Sequence, residues 1–198
     1  MNLPVLETER LRLILLQPGM ERTMVDFLIA NAAHFAPWDP PALPDHLSVE
    51  RWGTQCRNSV ADFEAGSAVR FVLTPAAQPD TIIGAANVTQ IFRGPFQAGF
   101  LGYRIGRAWE GQGLMREALS EAIRYLFDEQ RLHRIHANYV PTNARSGRLL
   151  ARLGFTIEGY AKDYLFIDGA WRDHVLTSLT HSRFDNRWLA PRFAAAKN

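Results

Sequence analysis

The chain has 198 residues, of which 47% are hydrophobic and 21% charged, and its formal net charge is +2. This composition predicts a globular protein and excludes a disordered chain, and no apolar run reaches the roughly 18 residues of a membrane span. The single cysteine, Cys56, excludes an internal disulfide framework and a zinc site built on several cysteines. Because the amino terminus also lacks the regions of a signal peptide, we expect a cytoplasmic protein with no membrane partner.

The small net charge conceals two opposed parts of the chain. Residues 1–66 carry nine acidic and five basic side chains, whereas residues 67–198 carry eleven acidic and seventeen basic ones. One interpretation is an ordinary solvated surface. The other is that an anionic ligand binds the later part and a cationic partner meets the earlier part.

Hydrophobic periodicity predicts alternating strands and helices along the chain. A first strand covers Leu11–Leu15, and a helix covers residues 20–30. The segment 34–47 contains four prolines and is predicted to be a loop, whose length of about 14 residues is typical of functional loops. A second helix begins at the N-cap Ser48 and runs toward Gly66.

Three strands follow, at residues 69–73, 82–92 and 100–105. Gly84 and Asn87 in the middle strand predict a bulge or a close backbone approach. The next helix has the clearest pattern in the chain. Its apolar stripe, at the 3.6-residue period, consists of Leu114, Met115, Ala118, Leu119, Ala122, Ile123, Leu126 and Phe127.

The last third of the chain is predicted to form a strand, a short helix and a hairpin. The strand covers residues 135–139, and the helix begins at the N-cap Asn143 and ends at Gly154. The hairpin pairs residues 160–167 with residues 171–179.

The order of these elements is strand, two helices, three strands, helix, strand, helix and hairpin, which predicts a mixed α/β (α+β) fold. No linker or shift in composition divides the series. We therefore predict a single domain over residues 1–198, with a core at about 5–180 and a carboxy-terminal tail at 181–198.

A glycine-rich turn precedes the long helix. Gly111 and Gly113 flank Gln112, and Leu114 opens the helix. Main-chain N–H groups in such a turn can approach a ligand closely, and a helix N-terminus favours negative charge, so phosphate or pyrophosphate is the expected ligand, with a plain tight turn as the alternative. The sequence has no GxxxxGK[ST], and Arg116 stands where the third glycine of GxGxxG would be, so P-loop and Rossmann sites are excluded.

Three arginines lie close together on the short helix. The spacing of Arg145, Arg148 and Arg152 places them along one helix face. They form either a solvated basic face or a second site for phosphate charge. The six histidines are scattered without metal-ligand spacing, so no metal site is predicted.

Together these segments resemble the acetyl-CoA signature of the GCN5-related N-acetyltransferases (GNAT). The turn and helix, the next strand, the Asn-x-x-Ser helix and Gly154-Phe155 carry the resemblance, which covers about residues 5–180. The chain is most similar to the RimJ/RimL branch, and within it to the RimJ group. The motifs concerned include Thr8-Glu9-Arg10-Leu11, Leu101-Gly102-Tyr103-Arg104-Ile105-Gly106, Gly113-Leu114-Met115, His133-Arg134-Ile135, Ser146-Gly147 and Trp171-Arg172-Asp173-His174-Val175-Leu176.

The resemblance implies a central, mostly antiparallel sheet of about seven strands flanked by helices. It also implies an enzyme that uses acetyl-CoA as cosubstrate to acetylate the N-terminal alanine of a ribosomal small-subunit protein, by direct transfer in a ternary complex. The ribosome or its assembly intermediates are then possible further partners, and the expected oligomeric state is a monomer or a homodimer.

The resemblance assigns residues to the cofactor. They are Tyr103, Arg104 and Ile105 on the strand that pairs with pantetheine, the main-chain N–H groups of Gly111, Gln112, Gly113, Leu114, Met115 and Arg116, and the side chains of Asn143 and Arg148. The family pattern Gln/Arg-x-x-Gly-x-Gly/Ala keeps only its central glycine, because Glu110 and Met115 replace its two ends. Since an acid beside a pyrophosphate is unfavourable, we expect Glu110 to point away.

The catalytic assignments of the family transfer only in part. Ser146 matches the serine that holds the departing thiolate in RimL-like enzymes. Ile105 is the candidate N–H donor for the developing oxyanion. The tyrosine general acid of many relatives aligns with Leu150 and the RimL glutamate base aligns with Leu165, so neither role is kept at its usual place.

The absence of a strong base favours an N-terminal amine as the acceptor. An α-amino group has a pKa near 7.8, so making it neutral at pH 7 costs about 1 kcal/mol, whereas a lysine side chain near 10.4 would cost about 4.6 kcal/mol. Asp163 is the candidate proton acceptor, with Glu158 as a second choice. The candidate substrate-binding residues are Phe35, Trp38, Asp39, Asn87 and Tyr164.

Two rival functions stay open at this point. A GNAT enzyme for small-molecule amines would have a compact closed pocket in place of an open groove near residues 34–47. A ribosome-assembly factor would act by binding, independently of catalysis.

Overall fold

The computed structural model describes residues 3–189, which form one continuous eight-stranded sheet with four α-helices. The strands are β1 (Val5–Glu7), β2 (Leu11–Leu15), β3 (Val69–Pro75), β4 (Gly84–Phe92), β5 (Ala98–Ile105), β6 (Arg134–His136), β7 (Thr156–Ile167) and β8 (Ala170–Thr180). The helices are α1 (Glu21–Phe35), α2 (Val49–Glu64), α3 (Leu114–Asp128) and α4 (Ala144–Arg152). Most of the predicted tail, residues 190–198, lies outside the described residues.

The sheet has the order β1-β2-β3-β4-β5-β6-β8-β7. Every neighbouring pair is antiparallel except β5 and β6, which are parallel. The expectation of a mixed α/β fold with a mostly antiparallel sheet is therefore confirmed. The expected count of about seven strands is one too low for the described residues, because the three-residue strand β1 is too short to show an alternating pattern.

Helices cover the two faces of the sheet. The apolar stripe of α3 is buried against the odd-numbered positions of β2 and β5, such as Leu13 and Leu101. Helices α1 and α2 pack on the opposite face, where Cys56 of α2 is fully buried beside Val72 of β3. Each helix thus buries one face only, as its sequence pattern predicts.

Several predicted boundaries shift in the structure. Helix α1 continues to Phe35 rather than ending at residue 30, so the proline-rich connection begins two residues later than the predicted start at residue 34. The close backbone approach predicted at Gly84 is confirmed, whereas the irregularity in β4 lies further along, between Thr89 and Phe92. Strand β6 ends at His136, earlier than predicted.

Strands β5 and β6 separate soon after they meet. Only Ala98, Gly99 and Phe100 of β5 pair with β6, whereas β5 continues to Ile105. Beyond this point the chain leaves β6 and makes a single bridge between Tyr139 and Val175 of β8. The far half of β5 therefore keeps a free edge that faces a gap in the sheet, and this gap holds the candidate site.

No helix within residues 3–189 is long and apolar enough to cross a membrane.

The close contact between the neighbouring strands β4 and β5 at Gly84 provides a stability test with a matched control. A Cβ atom at Gly84 would lie 2.6 Å from the carbonyl oxygen of Arg104, whereas one at Gly102 would meet nothing within 4 Å. We expect Gly84→Ala to lower the free energy of unfolding by about 1–3 kcal/mol, as overpacking does elsewhere. Gly102→Ala should leave it unchanged or slightly raised. Thermal and urea unfolding would measure both, and equal stability of the two variants would contradict the described packing.

Candidate active site

A cleft of about 1060 Å³ occupies the gap between β5 and β6. One wall consists of the far half of β5 with the turn that leads into α3, and the other consists of α4 with the hairpin β7–β8. The end of α1 and the residues just after it close one side, through His34, Phe35, Trp38 and Asp39. The cleft therefore collects side chains from segments that are far apart in sequence.

The turn at the start of α3 presents uncapped backbone donors to this cleft. Gly111 and Gly113 have positive φ angles of 75° and 78°, which glycine adopts without strain. Gly113 is the N-cap of α3, and no side chain caps the helix. The first N–H groups of α3 therefore stay available to an anion, where the helix dipole favours negative charge.

The amino-terminal segment fixes this turn from behind. Glu117, in the first turn of α3, accepts hydrogen bonds from the Thr8 hydroxyl at 2.6 Å and from Arg10 Nε at 2.7 Å. Arg10 also donates to the carbonyl oxygen of Gln112 at 3.0 Å. Burial raises the pKa of Glu117, but the hydrogen bonds from Thr8 and Arg10 outweigh it and lower the pKa below its usual value. The Thr-Glu-Arg motif thus holds the helix start in place.

Helix α4 brings basic side chains to the same end of the cleft. Arg145, Arg148 and Arg152 all line it, as their spacing predicts. Arg145 forms an ion pair with Glu110, and Glu110 also contacts His34 Nε2 at 3.0 Å. Glu110 therefore lies inside the cleft rather than pointing away, which corrects the expectation. Its charge is compensated by Arg145, while Arg148 and Arg152 make no ion pair within residues 3–189.

Two hydroxyl groups meet at the start of α4. The Tyr103 hydroxyl of β5 lies 2.6 Å from Ser146 Oγ. Burial raises the pKa of Tyr103 to about 12, against the opposing effect of the hydrogen bond with Ser146, so the phenol keeps its proton at neutral pH. Leu150, which stands where many relatives have a tyrosine, is fully buried in the core. A tyrosine hydroxyl nevertheless reaches this site, and it comes from a strand instead of the helix.

The position of Ser146 is closely fixed. Asn143 caps α4 by accepting a hydrogen bond from the Ser146 backbone N–H at 3.1 Å, which confirms the predicted N-cap. A Cβ atom at Gly147 would lie 2.9 Å from the ring of Tyr139, so only glycine allows α4 to pack this closely. Ser146 is consequently held at the cleft by its own helix and by the segment around Tyr139 that follows β6.

The opposite side of the cleft has a different chemistry. Arg104 Nη1 donates to Asp39 Oδ2 at 2.9 Å, and its guanidinium lies 5.2 Å from the centre of the Phe35 ring. Burial raises the pKa of Asp39, although Arg104 opposes this effect. Trp38, next to Asp39, is 39% exposed. The Arg104 side chain therefore lies on the side of Asp39 and Phe35. Only the backbone of Arg104 is left for the expected pairing with pantetheine.

Some predicted site residues do not reach the cleft lining. Asp163 is exposed on β7, where its backbone N–H donates to Asp173, and Glu158 is bound by Arg134 at 2.5 Å, which lowers the pKa of Glu158. Asn87 lies on β4 opposite Gly102 and does not line the cleft. Neither carboxylate is therefore placed to take a proton from a bound amine.

The side chains of Tyr164 and Gln112 contact neighbouring residues and do not line the cleft. The Tyr164 hydroxyl accepts a hydrogen bond from Asn138 at 3.0 Å, and its ring packs against His174 at 4.9 Å. The Gln112 side chain donates to the Ala108 carbonyl and does not line the cleft, so only its backbone belongs to the turn. The other predicted residues line the cleft, namely Phe35, Trp38, Asp39, Tyr103, Arg104, Ile105, Gly111, Gly113, Leu114, Met115, Arg116, Asn143, Ser146 and Arg148.

Two histidines line the cleft, although the sequence favours ordinary polar positions over a place in the peptide site for both. His34 ends α1 and His174 lies in β8. His34 lies outside the motifs of the resemblance, whereas His174 belongs to Trp171-Arg172-Asp173-His174-Val175-Leu176. Each reaches the cleft only through the folding of distant segments against one another. Within residues 3–189, no group of three or more potential metal-ligating side chains comes together.

Comparison with known proteins agrees with this geometry. A family model for the acetyltransferase (GNAT) domain matches residues 10–156. The chain is 47% identical over 175 residues to the ribosomal protein uS5-alanine N-acetyltransferase of Escherichia coli (strain K12), covering 88% of this chain and 90% of that relative.

Solved structures show the same relationship. The ribosomal-protein-S5-alanine acetyltransferase from Vibrio fischeri superposes with a TM-score of 0.88 at 35% identity, covering 92% of this chain and 99% of that one. RimJ of Mycobacterium smegmatis, solved in complex with CoA-disulfide, superposes with a TM-score of 0.80 at 28% identity, covering 94% of this chain and 88% of that one. The chain therefore belongs to the GNAT family of acetyltransferases, as its motifs predict.

Proposed function

We propose that this protein transfers the acetyl group of acetyl-CoA to the N-terminal alanine of the ribosomal small-subunit protein uS5, directly and within a ternary complex. The observation that carries the proposal is the 47% identity, over 88% of the chain, to an enzyme of this specificity. The two sides of the cleft support it, because one suits an anionic cosubstrate and the other an extended chain that ends in an amine. Since such a substrate is made on ribosomes, we place the protein in the cytoplasm.

The residues of the first side fit coenzyme A. The uncapped N–H groups at the start of α3 suit a pyrophosphate, and Arg148 and Arg152 add positive charge beside them. The free edge of β5 offers backbone groups to the amides of pantetheine. When bound, acetyl-CoA supplies an activated acetyl thioester.

Tyr103 and Ser146 are suited to stabilise the leaving sulfur. A phenol is a better proton donor than an alcohol, so Tyr103 donates to Ser146 Oγ across their 2.6 Å contact. The Ser146 hydrogen is then free to turn toward the cleft and donate to a thiolate. The pair thus supplies the hydrogen-bond donor that the missing tyrosine of α4 would otherwise provide.

The second side suits the amino terminus of a protein. Trp38 offers an exposed aromatic surface, and it lies beside the Asp39 carboxylate, which pairs with Arg104 through Oδ2. The Gly102 backbone is exposed on this side of β5, next to Arg104. This arrangement favours an extended peptide over a small amine that is fully enclosed.

Mass spectrometry tests the acceptor directly. We expect the protein to add one acetyl group to the α-nitrogen of a uS5 amino-terminal peptide that begins with alanine and contains a lysine. The lysine side chain should stay unmodified, because making it neutral at pH 7 costs about 3.5 kcal/mol more than for the α-amine. Acetylation of the lysine, or faster acetylation of a polyamine such as spermidine, would contradict the proposal.

Thermal unfolding tests the cosubstrate site. Acetyl-CoA at 100 times its dissociation constant should stabilise the protein by about 2.7 kcal/mol, which raises the melting temperature. Arg148→Glu should weaken binding, since it removes one positive charge from the cleft and adds a negative one. Arg183→Glu, which makes the same change at an exposed position outside the cleft, serves as the control. An equal response of both variants would argue against a phosphate-binding role for α4.

Substitutions of the hydroxyl pair test the leaving-group role. We expect Ser146→Ala to lower kcat by about 10- to 100-fold, the cost of losing one hydrogen bond to a charged group, with little change in KM. Tyr103→Phe should cost less on its own and nothing further when combined with Ser146→Ala. Steady-state kinetics on the two single variants and the double variant would measure this, and additive losses would show that the two hydroxyls act separately.

A further inference from the structure

His174 is a buried titratable side chain in the cleft wall to which the leaving-group mechanism gives no role. It lies on β8, is only 4% exposed and lines the cleft. The Tyr164 ring packs against it at 4.9 Å, and Asn138 holds the Tyr164 hydroxyl in place. The imidazole is thus held from its side by an aromatic ring that is itself fixed.

The hydrogen bonding of His174 determines which ring nitrogen carries the proton. Nδ1 lies 3.1 Å from the carbonyl oxygen of Arg172, and a carbonyl oxygen can only accept. Nδ1 therefore carries the hydrogen in the neutral ring, and Nε2 has a free lone pair. No group within residues 3–189 makes a hydrogen bond to Nε2, and the His174 side chain lines the cleft.

The other groups that could take a proton are already engaged. Asp39 accepts from Arg104, and Glu110 pairs with Arg145 and His34. The neighbouring Asp173 accepts from the Tyr160 hydroxyl at 2.6 Å and from the Asp163 backbone, on the outer part of the hairpin. Among the histidines and carboxylates within residues 3–189 that line the cleft, His174 is the one without an ion-pair partner.

We infer that His174 Nε2 is the general base that takes the proton from the acceptor α-amine. This inference rests on the proposed function, and it supplies the proton acceptor that neither Asp163 nor Glu158 can provide. Imidazole is the side chain that enzymes use most often for this purpose. Its role is catalytic, because Nε2 would contact the reacting nitrogen itself.

The terminal ammonium gives one proton to Nε2, and the neutral amine attacks the thioester carbon, so a C–N bond forms. The C–S bond then breaks, and the second proton lost by the nitrogen passes to the thiolate beside Ser146. The imidazolium returns its proton to water, so the products are the acetylated terminus and CoA with a free thiol.

His174→Asn separates a basic role from a structural one. The Asn side-chain amide can keep the hydrogen bond to the Arg172 carbonyl, since its nitrogen takes the place of Nδ1, but it has no basic nitrogen. We expect an unchanged melting temperature, an unchanged KM for acetyl-CoA and a kcat about 100-fold lower at pH 7, the low end for general-base catalysis. His133→Asn, the same change at an exposed histidine outside the cleft, should retain full activity.

Two further readouts distinguish a base from a positioning residue. The deficit of His174→Asn should shrink as the pH rises above the ordinary pKa of an α-amine, about 7.8, because the amine is then already neutral. An acceptor peptide that ends in an aminooxy group, which is uncharged at neutral pH, should be acetylated nearly equally by both enzymes. A deficit that is independent of pH and of the acceptor would overturn the role of a base.

The outcomes separate this inference from the proposed function. If wild-type protein fails to acetylate the alanine peptide, the proposed function is wrong. If wild-type protein acetylates it and His174→Asn does so at the same rate at pH 7, the function stands and His174 is not the base. The His34→Asn variant provides a comparison at a second histidine of the cleft. Loss of the His34 imidazole should change KM for acetyl-CoA through Glu110 and Arg145 without changing the pH profile of kcat.

Discussion

The parallel strands β5 and β6 share hydrogen bonds only at Ala98, Gly99 and Phe100 of β5, after which they separate. The separation leaves half of β5 with unpaired backbone groups, which would be costly if they were buried without a partner. It also opens the sheet so that side chains from α1, α4 and the hairpin β7–β8 can meet. The proposed acetyl-CoA site and the proposed acceptor site both depend on this single break in the ladder.

Where β5 and β6 separate, the two faces of β5 contact different parts of the cleft. Tyr103 and Arg104 are adjacent on β5, and alternate residues of a strand point to opposite faces. Tyr103 contacts Ser146, on the side assigned to the leaving sulfur, whereas Arg104 contacts Asp39, on the side assigned to the amine. In the proposed reaction, these two neighbouring residues therefore serve different substrates.

The division also refines the contrast between the acidic and the basic part of the chain. Four charged side chains of the cleft neutralise one another, in the ion pairs of Arg104 with Asp39 and of Arg145 with Glu110. The charge that remains for the cosubstrate comes from Arg148, Arg152 and the start of α3. Overall counts therefore indicate the sign of each ligand, but the pairing of side chains decides which charges are available.

Much of the fold is predictable because its signals are local. The apolar stripe of α3, the Asn143 cap and the hairpin turn at Asp168-Gly169 each lie within a few residues, and each is found where it is predicted. The short strand β1 carries no such pattern and is stabilised by its pairing with β2. Its place in the sheet therefore follows from tertiary structure.

The residues of the candidate site also fall into two groups, those within local sequence motifs and those brought to the cleft by tertiary contacts. The phosphate turn and the Asn-x-x-Ser helix are contiguous motifs, so their residues can be assigned from the sequence. His174 and His34 reach the cleft only because β8 and α1 fold beside it, and Asp163 is excluded by the local geometry of β7. Which carboxylates are already engaged also depends on contacts between distant segments, so the proton acceptor could not be identified from the sequence.

A crystal structure with a bisubstrate analogue, in which CoA is joined through an acetyl bridge to the α-nitrogen of an alanine peptide, tests the central claim most directly. The account predicts the pyrophosphate at the start of α3, the sulfur within hydrogen-bond distance of Ser146 Oγ, and the alanine nitrogen beside His174 Nε2. A peptide portion that leaves the cleft on the Ser146 side, or an alanine nitrogen that contacts a different base, would contradict it.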